Sequence, residues 1–250
     1  MGNSRIVFGL HSVRAALRNV GGVEALWIDV RRHDRRIGEI RQLARQAGVA
    51  VKNVDREQLD RLSGEANHQG VVARVTGVTA LDEQALWPLL QGLTEPPFLL
   101  VLDGVQDPHN LGACLRTADG AGVHAVIAPK ARSAGLTAAV RKVASGAAEN
   151  VPFVQVTNLG RVLRRLREEY NIWLVGTAGE ADRVLYDADL AGPLGIVMGG
   201  EGKGLRRLTR EHCDLLVKLP MAGGVESLNV SVATGICLYE AIRQRGFLTC

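Results

Sequence analysis

The sequence predicts an α/β protein in which a small, basic N-terminal unit precedes a larger unit built on a mainly parallel sheet. Short apolar runs alternate with helical segments after residue 97, positive charge is concentrated before residue 77, and an acidic, proline-containing stretch lies between. Alternating strands and helices of this kind form a sheet with helices on both faces. We therefore expect domains at residues 1–77 and 97–250, joined by a linker at 78–96.

Two strands and two helices are predicted in the N-terminal unit. Residues 24–30 and 70–76 are short runs of aliphatic and β-branched side chains, as in strands, whereas residues 35–47 and 56–63 have helical spacing with polar faces. In the linker, prolines limit the expected regular structure to one short amphipathic turn at residues 86–90.

Six strands and five helices are predicted to alternate in the C-terminal unit. The apolar runs that indicate strands are residues 98–102, 123–127, 151–156, 171–176, 194–198 and 214–219. The helical patterns are residues 110–121, 136–144, 158–169, 204–211 and 228–245.

Composition favours a soluble globular protein. With 250 residues, of which 46% are hydrophobic, the chain can bury a substantial core. No apolar run reaches the roughly 20 residues that a membrane-spanning helix needs. Because residues 1–5 also lack the apolar segment of a secretory signal, we expect a cytoplasmic protein. The four cysteines form no Cys-x-x-Cys pair, so we expect buried thiols and no bound metal.

Positive charge is concentrated in the N-terminal unit. Residues 1–76 carry 13 Lys and Arg against 8 Asp and Glu, whereas the whole chain has a net charge of only +4. Four arginines lie in one polar stretch and are candidate RNA-phosphate ligands: Arg31, Arg32, Arg35 and Arg36. The alternative is a solvated helix start, and the modest total charge does not decide between the two.

Three polar loops, each after an apolar run and before a helical segment, form the candidate functional site. They are Asp103–Gly112, which leads to Arg116, then Met198–Leu205, and Leu219–Ala233. Loops at the carboxyl ends of parallel strands line the ligand crevice of open α/β sheets. The glycines of the second loop indicate a backbone that a ligand approaches closely or that adopts positive φ. We therefore expect one composite site.

These loops resemble the signature motifs of the SpoU/TrmH branch of the SPOUT methyltransferases. Asn110 and Arg116 match the first motif, the Gly-Glu-Gly sequence around Glu201 matches the second, and residues 227–229 (Ser-Leu-Asn) match the third. The resemblance covers most of residues 98–245.

Two flanking segments narrow the resemblance to a subgroup. His68-Gln69-Gly70 and Thr177–Ala181 resemble the members that methylate the ribose 2′-oxygen of a guanosine in 23S ribosomal RNA. The resemblance implies S-adenosylmethionine as cofactor, no metal, and a target in the peptidyl-transferase centre. It also implies a trefoil knot in the C-terminal SPOUT domain, an exception to the rule against threaded connections, and an L30e-like N-terminal domain that binds RNA. We further expect a homodimer with the helix at 228–245 near its interface.

By this resemblance, the catalytic residues are Asn110, Arg116, Glu201, Ser227 and Asn229. A ribose hydroxyl must lose or share its proton as it reacts, and the family assigns this role to Arg116. Because a guanidinium donates hydrogen bonds and does not accept them, an alternative is that Arg116 binds the adjacent phosphate and stabilises the developing oxyanion.

The other site residues have structural alternatives as well. Asn110 is placed to cap the helix that follows Pro108, and one of Ser227 and Asn229 can cap the next helix. Glu201 can orient Arg116, hold the ribose or stabilise the sulfonium charge. The residues expected to bind the cofactor are Met198, Gly199, Gly200, Leu219, Met221 and Leu228. Glu226 stands where the family usually has a small residue, which adds negative charge near the site.

Alternative functions follow from the same residues. A Rossmann-type enzyme is disfavoured because no Gly-x-Gly-x-x-Gly turn follows the first strand. Methylation of tRNA, and a non-catalytic RNA-binding role in ribosome assembly on the same fold, stay open.

Overall fold

A computed structural model describes residues 4–18, 23–76, 80–202 and 204–246. The chain divides into two compact units, which we call unit 1 (Met1–Thr79 with Ser145–Asn150) and unit 2 (Ala80–Ala144 with Val151–Cys250). Lys203 of the second loop and Cys250 lie outside the described residues.

Unit 1 confirms its four predicted elements and adds others. Its strands and helices are β1 (Ser4–Phe8), α1 (Leu10–Arg18), β2 (Val23–Asp29), α2 (Arg35–Gln46), β3 (Val51–Val54), α3 (Arg56–Ser63) and β4 (Val71–Thr76). The strand order is β1-β4-β2-β3, with β4 antiparallel to both neighbours and β2 parallel to β3. The additional elements are β1, α1 and β3.

Alternation along β2 places a core on each face of this sheet. Leu26 and Ile28 are fully buried in the cluster that includes residues of α1 and α2. Trp27, between them, packs in a second cluster with Leu59 of α3. The sheet of unit 1 is therefore covered on both sides.

Unit 2 confirms all six predicted strands and five predicted helices, with shifts of a few residues at their ends. Its elements are α4 (Glu83–Gln91), β5 (Phe98–Asp103), α5 (Pro108–Gly120), β6 (Ala125–Pro129), α6 (Ala138–Ala144), β7 (Phe153–Val156), α8 (Leu159–Tyr170), β8 (Trp173–Thr177), β9 (Arg183–Val184), β10 (Leu194–Gly199), α9 (Arg207–His212), β11 (Leu215–Lys218) and α10 (Val230–Gln244). Helix α7 (Ala147–Asn150), which follows α6 in the chain, belongs to unit 1.

Within the described residues, the strands of unit 2 form one parallel sheet in the order β7-β6-β5-β10-β8-β11-β9. Strand β5 is buried along its whole length, as expected for a parallel strand with helices on both faces. The α/β class with a mainly parallel sheet is confirmed. The trefoil knot stays a prediction, because strand order alone does not specify a threaded path.

The segment expected to be a linker, residues 78–96, is assigned to unit 2 from Ala80 onward, and the turn predicted at 86–90 is part of a longer helix. Residues 83–91 form α4, and its side chains Leu86, Trp87 and Leu90 are buried in the core of unit 2. Each buried side chain of this size contributes about 1.5–3 kcal/mol. Together they outweigh the ~3 kcal/mol that Pro88 costs inside a helix. The apolar face of this segment therefore decides its structure, and the proline does not.

Candidate active site

The candidate site lies at one edge of the sheet of unit 2, where four adjacent strands end. Because β5, β10, β8 and β11 are neighbours and parallel, the loops after them begin at the same edge. The loops after β10, β8 and β11 enclose a cleft of about 480 Å³. Two of them are loops that the sequence indicated, and the third follows β8. The loop after β5, also indicated by the sequence, does not line the cleft but contacts it through the hydrogen bonds of Asn110.

All six residues expected to bind the cofactor line this cleft: Met198, Gly199, Gly200, Leu219, Met221 and Leu228. Three predicted catalytic residues, Glu201, Ser227 and Asn229, line it as well. The sequence therefore identified a set of residues that the fold brings together.

A chain of hydrogen bonds joins one residue from each of the three loops. Asn229 Nδ2 donates to Asn110 Oδ1 at 3.0 Å, and Asn110 Nδ2 donates to Glu201 Oε1 at 2.8 Å. The second oxygen of Glu201 accepts from the backbone N–H of Gln106 at 3.3 Å. Asn110 is buried, so its amide is held by these two partners.

Local helix signals place the two asparagines. Asp107 caps α5 by accepting from the N–H of His109, and Pro108 occupies the first turn. The prediction that Asn110 caps this helix is therefore wrong, and its side chain is available to Glu201 and Asn229. Asn229 caps α10 through Oδ1, which accepts from the Ser231 N–H at 2.9 Å, while its Nδ2 bonds Asn110.

Hydrogen bonding keeps Glu201 acidic. Partial burial by itself raises the pKa of Glu201, but the hydrogen bonds from the Asn110 side chain and from the backbone N–H groups of Glu201, Gln106 and Asp107 outweigh it. The net effect is a pKa below the usual value, so the carboxylate is ionised at neutral pH and presents a negative charge to the cleft.

The loop after β10 has two glycines that lie too close to other backbone atoms for a Cβ atom, Gly199 within the same loop and Gly200 against the loop after β5. A Cβ atom at Gly199 would lie 2.2 Å from the carbonyl carbon of Gly204, and one at Gly200 would lie 2.3 Å from the carbonyl oxygen of Gly104. The Gly200 N–H also donates to the Asp103 carbonyl at 2.9 Å. This packing fixes the second loop against the first, which brings Glu201 to Asn110.

Arg116 lies apart from this cluster. It is exposed on α5, does not line the cleft, and within the described residues has no hydrogen-bond or ion-pair partner. Residue 120, one turn further along α5, approaches α10, because a Cβ atom at Gly120 would lie 3.3 Å from Tyr239 Oη. Asn110, Glu201 and Asn229 are therefore in contact within one chain, whereas Arg116 lies on a neighbouring surface.

Part of the cleft was not predicted from the sequence. Thr177, Ala178, Gly179 and Glu180 line it from the loop after β8, and Glu180 pairs with Arg210 of α9. This loop also follows an apolar run, which is the signal that identified the other three. Glu226, the departure from the family pattern, lines the same cleft.

The four arginines proposed as RNA ligands differ in their environments. Arg32 donates to Asp34 and to the Gln69 carbonyl, and its hydrogen bond to Asp34 lowers the pKa of that carboxyl. Arg31, Arg35 and Arg36 are exposed, and the latter two lie in the first turn of α2. The Arg32 guanidinium is therefore committed to the fold of unit 1.

The remaining predictions concern thiols, metals and membrane spans. Cys114 and Cys237 are buried and Cys213 is partly buried, and burial raises the pKa of Cys114 to about 11. Within residues 4–18, 23–76, 80–202 and 204–246, no three His, Cys, Asp or Glu side chains are grouped as metal ligands. Over the same residues, no helix combines the length and apolarity required to span a bilayer.

Comparison with known proteins agrees with this geometry. Residues 97–239 match the family described as the SpoU rRNA methylase family, and residues 6–80 match the domain described as RNA 2′-O ribose methyltransferase substrate binding. The chain belongs to the SpoU rRNA methylase family.

Similar members of the SpoU rRNA methylase family match over almost their whole length. The 23S rRNA (guanosine-2′-O-)-methyltransferases RlmB of Pectobacterium atrosepticum and Escherichia coli are each 55% identical over 97% of this chain and 99% of theirs. Among solved structures, the SpoU methyltransferase AviRb from Streptomyces viridochromogenes in complex with the cofactor AdoMet has a TM-score of 0.76 and 27% identity, covering 98% of this chain and 91% of that one.

The hydrogen bond between Asn110 and Glu201 can be tested by titration. In Asn110→Ala the Glu201 pKa should rise, because the carboxylate no longer has that donor while its burial persists. In the wild-type protein, the lowered pKa of Glu201 stabilises the fold above the usual glutamate pKa, and this contribution is lost as pH falls through the lowered pKa. In Asn110→Ala the contribution should be smaller. NMR titration of the glutamate side-chain carbons measures the shift. Asn158→Ala, which removes the N-cap of the remote helix α8, is the control and should leave the Glu201 pKa unchanged. An unchanged Glu201 pKa in Asn110→Ala contradicts the hydrogen bond between Asn110 and Glu201.

Proposed function

We propose that this protein transfers a methyl group from S-adenosylmethionine to the ribose 2′-hydroxyl of a guanosine in the peptidyl-transferase centre of 23S rRNA. The observation that carries the proposal is the hydrogen-bonded chain Asn229–Asn110–Glu201, of which Asn229 and Glu201 line the cleft. The relatives named RlmB, with 55% identity over nearly the full chain, support rRNA as the substrate.

The cleft fits the proposed cofactor. Its volume of about 480 Å³ lies within the range of small-molecule sites, and its wall contains the apolar side chains Leu219, Met221 and Leu228, which suit an adenine ring. When bound, S-adenosylmethionine supplies a methyl group on a positively charged sulfur. The carboxylates of Glu201 and Glu226 complement that charge, and the Asn110 hydrogen bond helps to lower the pKa of Glu201.

The three joined side chains act by positioning. Asn110 is held between Asn229 and Glu201, so the loops after β5, β10 and β11 keep a fixed spacing around the substrate ribose. Positioning of this kind contributes much of the rate of a bimolecular displacement. Arg116 then serves at the ribose and its adjacent phosphate, as proton acceptor or as the donor that stabilises the developing oxyanion.

In this proposal, Arg116 acts in the site of a second copy of the chain. Val232 and Tyr239 on α10 are 52% and 51% exposed, and they form an apolar face beside the part of α5 that carries Arg116. Pairing two such faces buries them and presents each Arg116 to the partner. The same arrangement accounts for Arg116 lying outside the cleft of its own chain.

Methylation mapping tests the substrate. Ribose methylation is measured across all rRNA and tRNA in cells with the protein, without it, and with Glu201→Gln. We expect one 23S rRNA guanosine in the peptidyl-transferase centre to lose its 2′-O-methyl group in the latter two. Loss at a tRNA nucleotide instead supports the tRNA alternative, and unchanged methylation everywhere supports a non-catalytic role.

Mixing of two inactive variants tests the shared site. Arg116→Ala and Glu201→Gln should each lower kcat by about 10²–10³, the cost of losing one donor or charge in a preorganised site. In a mixed dimer one site carries both defects and the other carries neither, so we expect about half of the normal activity per mixed dimer.

The control for this mixing experiment is Tyr239→Asp in both partners. It places a charge on the apolar face of α10, should give monomers in sedimentation, and should abolish the recovered activity. Two variants that form a mixed dimer but recover no activity exclude an Arg116 supplied by the partner.

A further inference from the structure

A cationic groove lies between α1 and α2 of unit 1. It has a volume of about 360 Å³, and its polar lining residues are His11, Arg14, Arg35, Arg36, Glu39 and Gln69. It lies within unit 1 and shares no residue with the cleft of unit 2.

Arginine charge exceeds carboxylate charge in this groove. Glu39 lies 3.4 Å from the Arg14 guanidinium and 3.6 Å from that of Arg35, so a single carboxylate is shared by two arginines. Within the described part of the chain, the Arg36 side chain has no hydrogen-bond or ion-pair partner. An anionic ligand can therefore bind there without first breaking a strong ion pair.

Two of these arginines lie at the start of α2. Arg35 and Arg36 occupy its first turn, and the Asp34 side chain caps the helix by accepting from the Arg36 and Ile37 N–H groups. Asp34 also accepts from Arg32 and does not line the groove. Because the macrodipole of a helix favours anions at its N-terminus, the helix end and the two arginines both favour an anionic ligand in the groove.

The turn His68-Gln69-Gly70 supports one wall of the groove. Gln69 has a positive φ of 49°, and its Oε1 accepts from the Leu10 N–H at the start of α1 at 3.2 Å. The buried His68 ring accepts from the Gly70 N–H through Nδ1 at 3.0 Å, so Nε2 carries the proton and donates to Asp60 at 2.8 Å. Both ring nitrogens are thus occupied in holding the turn.

We propose that this groove binds RNA phosphates through Arg14, Arg35 and Arg36, and that the His68-Gln69-Gly70 turn is its positioning element. The inference rests on the proposed function, because it takes RNA as the substrate. Planar guanidinium groups match phosphate oxygens. Arg32, committed to Asp34 and the Gln69 carbonyl, belongs to the support of the groove and not to its ligands.

Salt dependence of RNA binding tests the arginines. Filter binding of a radiolabelled 23S rRNA transcript is measured over a range of KCl concentrations. The slope of log K against log salt should become shallower by about 0.7 for each phosphate that the protein no longer neutralises, hence by about 2 in the variant with Arg14, Arg35 and Arg36 all changed to Gln. Arg36→Gln is compared with Arg45→Gln, a matched change at the exposed far end of α2. A triple variant with the wild-type slope overturns the proposal.

Gln69→Glu distinguishes a role of Gln69 in the phosphate site from a role in the stability of the fold alone. The glutamate still accepts from the Leu10 N–H, and a negative charge at the start of α1 is favourable, so the midpoint of thermal unfolding should not fall. The same charge repels phosphates, so RNA affinity at low salt should fall on the order of tenfold. Gln69→Glu with wild-type RNA affinity contradicts a phosphate site at this position.

Kinetics distinguish this inference from the proposed function. The triple variant should raise KM for RNA and leave kcat and S-adenosylmethionine affinity unchanged, because the cleft of unit 2 is intact. If the wild-type protein methylates no RNA yet loses RNA binding in the triple variant, the proposed function fails and the groove stands. An unchanged KM in the triple variant refutes the groove alone.

Discussion

The hydrogen-bonded chain from Asn229 through Asn110 to Glu201 is the interaction on which the candidate site depends. Asn229 and Asn110 are 119 residues apart in the sequence, Asn110 and Glu201 are 91 residues apart, and both hydrogen bonds are of normal length. Asn110 can serve as the central link because an amide accepts at one atom and donates at the other. A carboxylate at this position would repel Glu201, and an apolar side chain would remove both hydrogen bonds.

The parallel sheet makes this chain possible. Strands β5, β10, β8 and β11 are neighbours, so loops distant in sequence emerge at one edge and need only short side chains to meet. Close backbone packing between Gly200 and Gly104 leaves no room for a Cβ atom and sets the separation of the first two loops. The sequence suggested these glycines for close approach of a ligand, but Gly200 instead packs against the loop after β5, and Gly199 packs against residues 204 and 205 of its own loop.

Much of this was predictable from the sequence, because apolar periodicity marks parallel strands and polar loops after them mark the crevice. What failed involved tertiary context. Only a short turn was expected at residues 86–90, but this segment belongs to a longer helix held by its buried face, with Pro88 inside it. Asn110 was expected to cap α5, although Asp107 has that role. Strand β3 was missed because only two of its four residues are apolar. The position of Arg116 relative to the cleft depends on how α5 is turned, which periodicity leaves undetermined.

The two units divide the work in this account. Unit 2 supplies a preorganised cleft that contains the ionised carboxylate of Glu201, and unit 1 supplies arginines beside a turn in which both ring nitrogens of His68 are hydrogen-bonded. Among the described residues, the side chains of Arg116 in α5 and Arg36 in α2 have no hydrogen-bond or ion-pair partner. Charges left free in this way are available to an anionic polymer.

The most direct test of the central claim is a double-mutant cycle on Asn110 and Asn229, read by calorimetry of S-adenosylmethionine binding. If the two side chains act through one hydrogen-bonded chain, either alanine variant should weaken binding and the double variant should be little worse, with a coupling energy of about 0.5–3 kcal/mol. A double variant whose loss equals the sum of the two single losses would contradict the account.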